Sequence, residues 1–102
     1  MAGRAAEQGP RRVEPREAWR LVREESAQLV DVRTPEEVRH GMAEGACCVP
    51  LQELHERLGE LDRGRPVVVY CRSGGRSAAA ADILARQGFR VFDAGGIGNL
   101  MR

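Results

Sequence analysis

The run Val67-Val68-Val69-Tyr70 passes without polar alternation into Cys71, then into Arg72-Ser73-Gly74-Gly75-Arg76-Ser77 and an alanine-rich stretch. A β-branched run of this kind reads as a parallel strand covered on both faces, and so as the middle of a sheet. Residues 77–87 read as a helix, with Ala78, Ala81, Leu84 and Ala85 forming a narrow face of small side chains that packs closely on that sheet, and with Gly88 ending it. Strand, glycine loop and helix in succession commit the chain to layered α/β architecture.

The remaining segments repeat the alternation. Glu14-Pro15 opens a helix through about Glu24, with Ala18, Trp19 and Val22 at helical spacing and Trp19 assigned to the core. Gln28 to Arg33 reads as a strand, and Thr34-Pro35-Glu36-Glu37 as the start of a short helix that Gly41 stops. Ala46 to Val49 is a short strand ended by Pro50; Leu51, Leu54, Leu58 and Leu61 then mark one face of an amphipathic helix. Phe89 to Phe92 is the last strand, broken by Asp93-Ala94-Gly95-Gly96. The expected fold is a single domain over residues 13–102, with a mostly parallel central sheet and helices on both faces, preceded by a flexible lead-in over residues 1–12. In such sheets ligands bind at the carboxyl ends of the strands, which is where Cys71 lies.

Composition narrows the chemistry. A formal charge of +1 and 4% aromatic residues give neither the field nor the stacking surfaces of a nucleic-acid binder. No apolar run reaches the roughly 20 residues of a membrane helix, and Met1 to Arg12 lack the apolar segment of a secretory signal. A cytoplasmic protein is expected, or a periplasmic one were a signal already removed. All 16 basic residues are arginine, which rules out Schiff-base chemistry and a P-loop lysine. Three cysteines, two of them adjacent at Cys47 and Cys48, suit reduced thiols better than a disulfide framework. On a strand those two point to opposite faces, and packing is the expected role of Cys47. His40 and His55 lack metal-ligand spacing and are expected at the surface; no metal or cofactor is expected.

Between Asp62 and Asp82 stand Arg63, Arg65, Arg72 and Arg76 and no carboxylate, which argues for a small anionic ligand near Cys71. A cysteine that leaves a strand into a loop feeding a helix N-terminus gains the positive end of the helix dipole and unpaired N–H donors. Arg72 and Arg76 add charge, and Ser73 and Ser77 add hydroxyls. Gly74 and Gly75 allow positive φ and a close backbone approach to the ligand. Cys71 is thus expected as a reactive thiolate in an anion cradle.

The stretch Cys71-Arg72-Ser73-Gly74-Gly75-Arg76-Ser77 resembles the active-site loop of the single-domain rhodaneses, thiosulfate-type sulfurtransferases whose cysteine is followed by four residues, an arginine, then Ser or Thr. Leu29 to Val38 is similar to that family's first block, Gly41 to Leu51 to its Gly-His-Ile-x-Gly-Ala-x-Asn-Ile-Pro-Leu segment, and Gly95-Gly96-Ile97 to its terminal glycines. Met42 stands in place of that segment's histidine and Cys48 in place of its asparagine. The tail from Gly98 resembles the small phage-shock type. The resemblance implies that Cys71 takes a sulfane sulfur from thiosulfate or a related anionic donor and carries it as a persulfide. A thiol, that of a small molecule or of a thiol protein, or cyanide then accepts it. It also implies that residues 72–77 bind the substrate, Arg72 and Arg76 orienting it, and that Asp31, Arg33 and Glu37 form a structural polar cluster. A monomer is expected, because a chain with a complete αβ pattern needs no partner for its core.

Two rival functions remain. A persulfide-relay or sulfur-binding module with low turnover would use the same residues. A phosphatase or arsenate reductase of the same fold would place five residues between cysteine and arginine, and here there are four.

Overall fold

The structure, a computed structural model, describes residues 9–100. Five parallel strands form one sheet in the order β1-β5-β4-β2-β3: β1 is Arg11–Arg12, β2 Gln28–Asp31, β3 Cys47–Cys48, β4 Val67–Cys71 and β5 Val91–Gly96. The valine run is the central strand, with every residue from Val67 to Cys71 buried. Its alternating side chains feed two cores. Val67, Val69 and Cys71 pack with Ala80, Ala81, Leu84 and Ala85 of the helix α3 (Gly75–Arg86). Val68 and Tyr70 pack with Ala18 and Leu21 of the helix α1 (Pro15–Glu24), on the opposite face. Helices on both faces of a parallel sheet are as the residue pattern demands.

Several local expectations are corrected. The strand β1 lies within the expected lead-in: Arg11 and Arg12 pair with Phe92 and Asp93, and Val13 N donates to Asp93 O at 3.0 Å. Residues 1–8 of that lead-in lie outside the described residues. The leucine segment winds as two 3₁₀ turns, Leu51–Glu53 and His55–Glu60, instead of an α-helix. Leu51, Leu54, Leu58 and Leu61 still turn inward, because three- and four-residue spacings suit either winding. On α1 it is Leu21 that is fully buried, while Trp19 and Val22 are half-buried against the core. On α3 the inner face is Ser77, Ala80, Ala81, Leu84 and Ala85, and Ala78 is exposed. The helix begins two residues earlier than expected, at Gly75, which rotates the buried stripe.

The largest revision concerns β5. Asp93-Ala94-Gly95-Gly96 does not break the strand but forms its second half. Val69 pairs with Asp93 and Cys71 with Gly96, so two steps along β4 match three along β5, which bulges. Gly95 takes φ +78° in that bulge, and Asp93 Oδ1 accepts from Gly95 N at 2.9 Å. The short helix α2 (Pro35–Val38) is fastened at its start by a reciprocal cap: Thr34 Oγ1 accepts from Glu37 N, and Glu37 Oε1 accepts from Thr34 N.

Candidate active site

Cys71 ends β4 at the carboxyl edge of the sheet, with 1% of its surface exposed. Gly74, at φ +108°, turns the chain into α3 and aims backbone N–H groups at the sulfur. Gly74 N donates to Cys71 Sγ at 3.0 Å and Ser77 N at 3.3 Å. Burial alone pushes the thiol up; Ser77, Gly74 and Ser73 around it pull it down by more, leaving Cys71 below the ordinary cysteine value. The other two thiols move the opposite way, since burial raises both Cys47 and Cys48. A thiol among N–H donors gives up its proton more readily than an ordinary one, and donors so placed are of the kind that stabilise an anionic sulfur.

The glycines divide the work differently from the sequence reading. Gly74 carries the positive φ; Gly75 has no such φ and opens the helix with open space around its Cβ position. A third glycine, Gly96, makes the close approach: a Cβ there would lie 2.7 Å from Arg72 O. The end of β5 therefore presses directly on the backbone of the cysteine loop.

The arginines also separate. Arg76 is bound at both ends of its guanidinium to Glu37, Nη1 to Oε1 at 2.7 Å and Nη2 to Oε2 at 2.9 Å. The arginine holds the Glu37 carboxyl far below the usual range, with Thr34 contributing. Arg72 is exposed, and among the described residues it makes no ion pair. It lines a cavity of about 300 Å³ with Arg33, Glu37, His40 and Ile97. Arg63 and Arg65 are engaged elsewhere, Arg63 with Gln87 O and over the Phe89 ring, Arg65 with Ser26 O.

Asp31 and Arg33 form a buried fork, Nε to Oδ1 at 3.0 Å and Nη2 to Oδ2 at 2.8 Å, and Arg33 Nη2 also donates to Gly41 O. Glu37 does not join this pair; it faces Arg76, so the expected cluster is two pairs that fasten two loops. Asp93 is the site neighbour that sequence reasoning missed. It is 3% exposed, and Ser77 Oγ donates to its Oδ1 at 2.7 Å. An aspartate two residues before a glycine is a turn signal, and here it marks the bulge.

Cys47 is exposed, which overturns its packing role: β3 is a two-residue strand at the edge of the sheet among the described residues. Cys48 is half-buried, its Sγ 3.5 Å from Arg33 O, and all three cysteines are free thiols. His40 and His55 are exposed. Among the described residues no three His, Cys, Asp or Glu side chains gather as a metal site, and no helix is long and apolar enough to cross a membrane.

Residues 14–97 match the family model of the rhodanese-like domain. The chain belongs to the rhodanese-like family. A sulfurtransferase of Allochromatium vinosum is 43% identical over 69% of this chain and 65% of its own length. The thiosulfate sulfurtransferase PspE of Escherichia coli is 38% identical over 67% of this chain and 68% of its own. The thiosulfate sulfurtransferase GlpE of Glaesserella parasuis is 34% identical, with 82% and 79% covered. The match thus spans less than two thirds of the Allochromatium relative, and 49% of a Bacillus subtilis one. Among solved structures, a rhodanese with anions from E. coli superposes with TM-score 0.68 at 36% identity, covering 72% of this chain and 89% of that one. A rhodanese-related protein from Thermoplasma volcanium reaches TM-score 0.79 at 28% identity, covering 88% and 89%. This rhodanese-like domain thus shares its fold with solved rhodanese structures and its sequence with relatives named sulfurtransferases.

Proposed function

We propose that the chain is a sulfurtransferase that moves a sulfane sulfur from thiosulfate, or a donor of the same charge and shape, through a persulfide on Cys71. The observation that carries this reading is the pair of N–H donors from Gly74 and Ser77 on a thiol held below its ordinary pKa. The Cys71 thiolate attacks the outer sulfur of thiosulfate; that S–S bond breaks, and sulfite leaves with the bonding pair. The new terminal sulfur carries the negative charge and lies among the N–H groups of the loop. An acceptor nucleophile, a thiolate or cyanide, then attacks that sulfur and Cys71 departs as thiolate. The names of the PspE and GlpE relatives support thiosulfate as donor.

Arg72, exposed at the cavity mouth, is the cation that meets the donor, while Arg76 acts mainly through Glu37. The four-residue gap between Cys71 and Arg76 gives a tight cradle suited to one sulfur atom, in contrast with the wider loop of a phosphatase.

Mass spectrometry after thiosulfate treatment tests this. The expected result is a one-sulfur adduct on Cys71 that cyanide removes. An adduct confined to Cys47 or Cys48 overturns the reading, and an adduct that forms once without turnover replaces it with a sulfur relay.

A further inference from the structure

One buried acidic side chain, bonded to a residue that touches the sulfur, has no part in the chemistry above. Asp93 lies on β5, 3% exposed, and its Oδ1 takes two bonds, from Gly95 N at 2.9 Å and from Ser77 Oγ at 2.7 Å. Ser77 Oγ also lies 3.0 Å from Gly74 O. A hydroxyl owns one proton, and here two oxygens compete for it, of which the aspartate oxygen is the nearer. The Ser77 hydroxyl stands close enough to Cys71 that, with its proton turned to the sulfur, it is the strongest of the groups that pull the thiol down; the hydrogen-bond geometry turns that proton to Asp93. Instead the Ser77 contact to Sγ runs through its backbone N–H at 3.3 Å.

We propose that Asp93 is a positioning residue for the reactive cysteine: it captures the proton of the Ser77 hydroxyl and keeps that proton off the Cys71 sulfur. The thiolate is then held by backbone donors alone, whose directions are set by the loop and do not rotate. This matters to reactivity, because each added hydrogen bond to a thiolate lowers its nucleophilicity along with its pKa. A hydroxyl free to follow the sulfur would quench the attacking group. The position of Asp93 is fixed by the bulge, which makes Gly95 N its second donor and sets the carboxylate under the first turn of α3.

The proposal rests on Cys71 being the reactive thiolate, and its test is independent of sulfur transfer. The probe is the pH dependence of the ultraviolet thiolate absorbance in a chain carrying Cys47→Ser and Cys48→Ser, so that Cys71 alone titrates. Asp93→Ala releases the Ser77 proton to the sulfur, and the Cys71 midpoint falls by roughly half to one pH unit, the effect of one ordinary hydrogen bond. Ser77→Ala added to Asp93→Ala removes that fall. Asp93→Asn, whose amide oxygen can accept from Ser77 and Gly95 as before, keeps the parent midpoint. Arg72, Arg76, Arg33, Glu37, His40, Asp31 and Tyr70, the other ionisable groups around the loop, are unchanged in every variant. Thermal unfolding establishes that each variant is folded. A midpoint that rises in Asp93→Ala overturns the proposal, as does a fall that persists in the double variant or appears equally in Asp93→Asn, since loosening or charge alone would then be the cause. If instead these midpoints behave as expected and thiosulfate leaves no adduct on Cys71, the role of Asp93 stands and the sulfurtransferase reading fails.

Discussion

Arg76 on α3 and Glu37 on α2 are joined by two parallel hydrogen bonds of 2.7 and 2.9 Å, so the arginine of the cysteine loop is already engaged before any substrate arrives. The pair links two segments 39 residues apart, and Glu37 at the same time closes the cap with Thr34. One carboxylate therefore sets both the α2 turn and the first turn of α3.

Glu37→Gln is expected to loosen that link, and pH reports it. The folded-state pKa of Glu37 is depressed, so its contribution is complete above the unfolded glutamate value of about 4.3 and is lost as pH falls from there toward the folded value. The stability gap between parent and Glu37→Gln, read from urea midpoints, should be widest near neutrality and shrink as pH drops below about 4. A gap that is constant with pH would remove the pair from the stability of the fold.

Arg72→Ala should raise KM for thiosulfate by roughly tenfold and leave kcat within about twofold, the loss of one charge-assisted contact made in both ground and transition states. Steady-state kinetics with cyanide as acceptor measure this. Equal losses in kcat and kcat/KM would place Arg72 in the transition state instead.

Gly96→Ala brings a Cβ to 2.7 Å from Arg72 O, against backbone that cannot yield cheaply. We expect a cost of about 1–3 kcal/mol in unfolding free energy, together with loss of activity as the cysteine loop shifts. Gly75→Ala, with open space and an ordinary φ at a helix start, should be neutral or stabilising by up to about 1 kcal/mol. Chemical denaturation of the two variants reads the contrast.

The three thiols should separate by acidity. The Cys71 pKa is lowered, while those of Cys47 and Cys48 are raised by burial. Just above neutral pH, a small charged disulfide reagent should react first at Cys71, with the rate rising through a midpoint lower than those of Cys47 and Cys48. Peptide mapping of the labelled protein checks the order; earlier labelling at Cys48 would contradict it.

The strand, loop and helix around Cys71 were the most legible part of the chain. An unbroken valine run can hardly be anything but a covered strand, and the glycines after it mark where the chain turns into α3. What escaped the sequence lies where a pattern has two meanings. Asp93-Ala94-Gly95-Gly96 has the composition of a loop, yet it continues β5, because Asp93 satisfies its own bulge and Gly96 yields space to the facing loop. The leucine spacing could not distinguish two 3₁₀ turns from an α-helix. Arg76 resembled a substrate ligand because its partner, Glu37, is remote in sequence, and only the fold brings the two together.

The pairing of Arg11 and Arg12 beside β5 has a practical bearing on where this domain starts. The family match begins at residue 14, but the backbone of Asp93 is gripped from outside by Val13 N. A fragment cut at residue 14 would leave β5 as a bare sheet edge, open to pairing with other chains, and would unclasp the strand that braces the Cys71 loop. The arginine pair is a seam, and the cysteine loop lies one strand away from it.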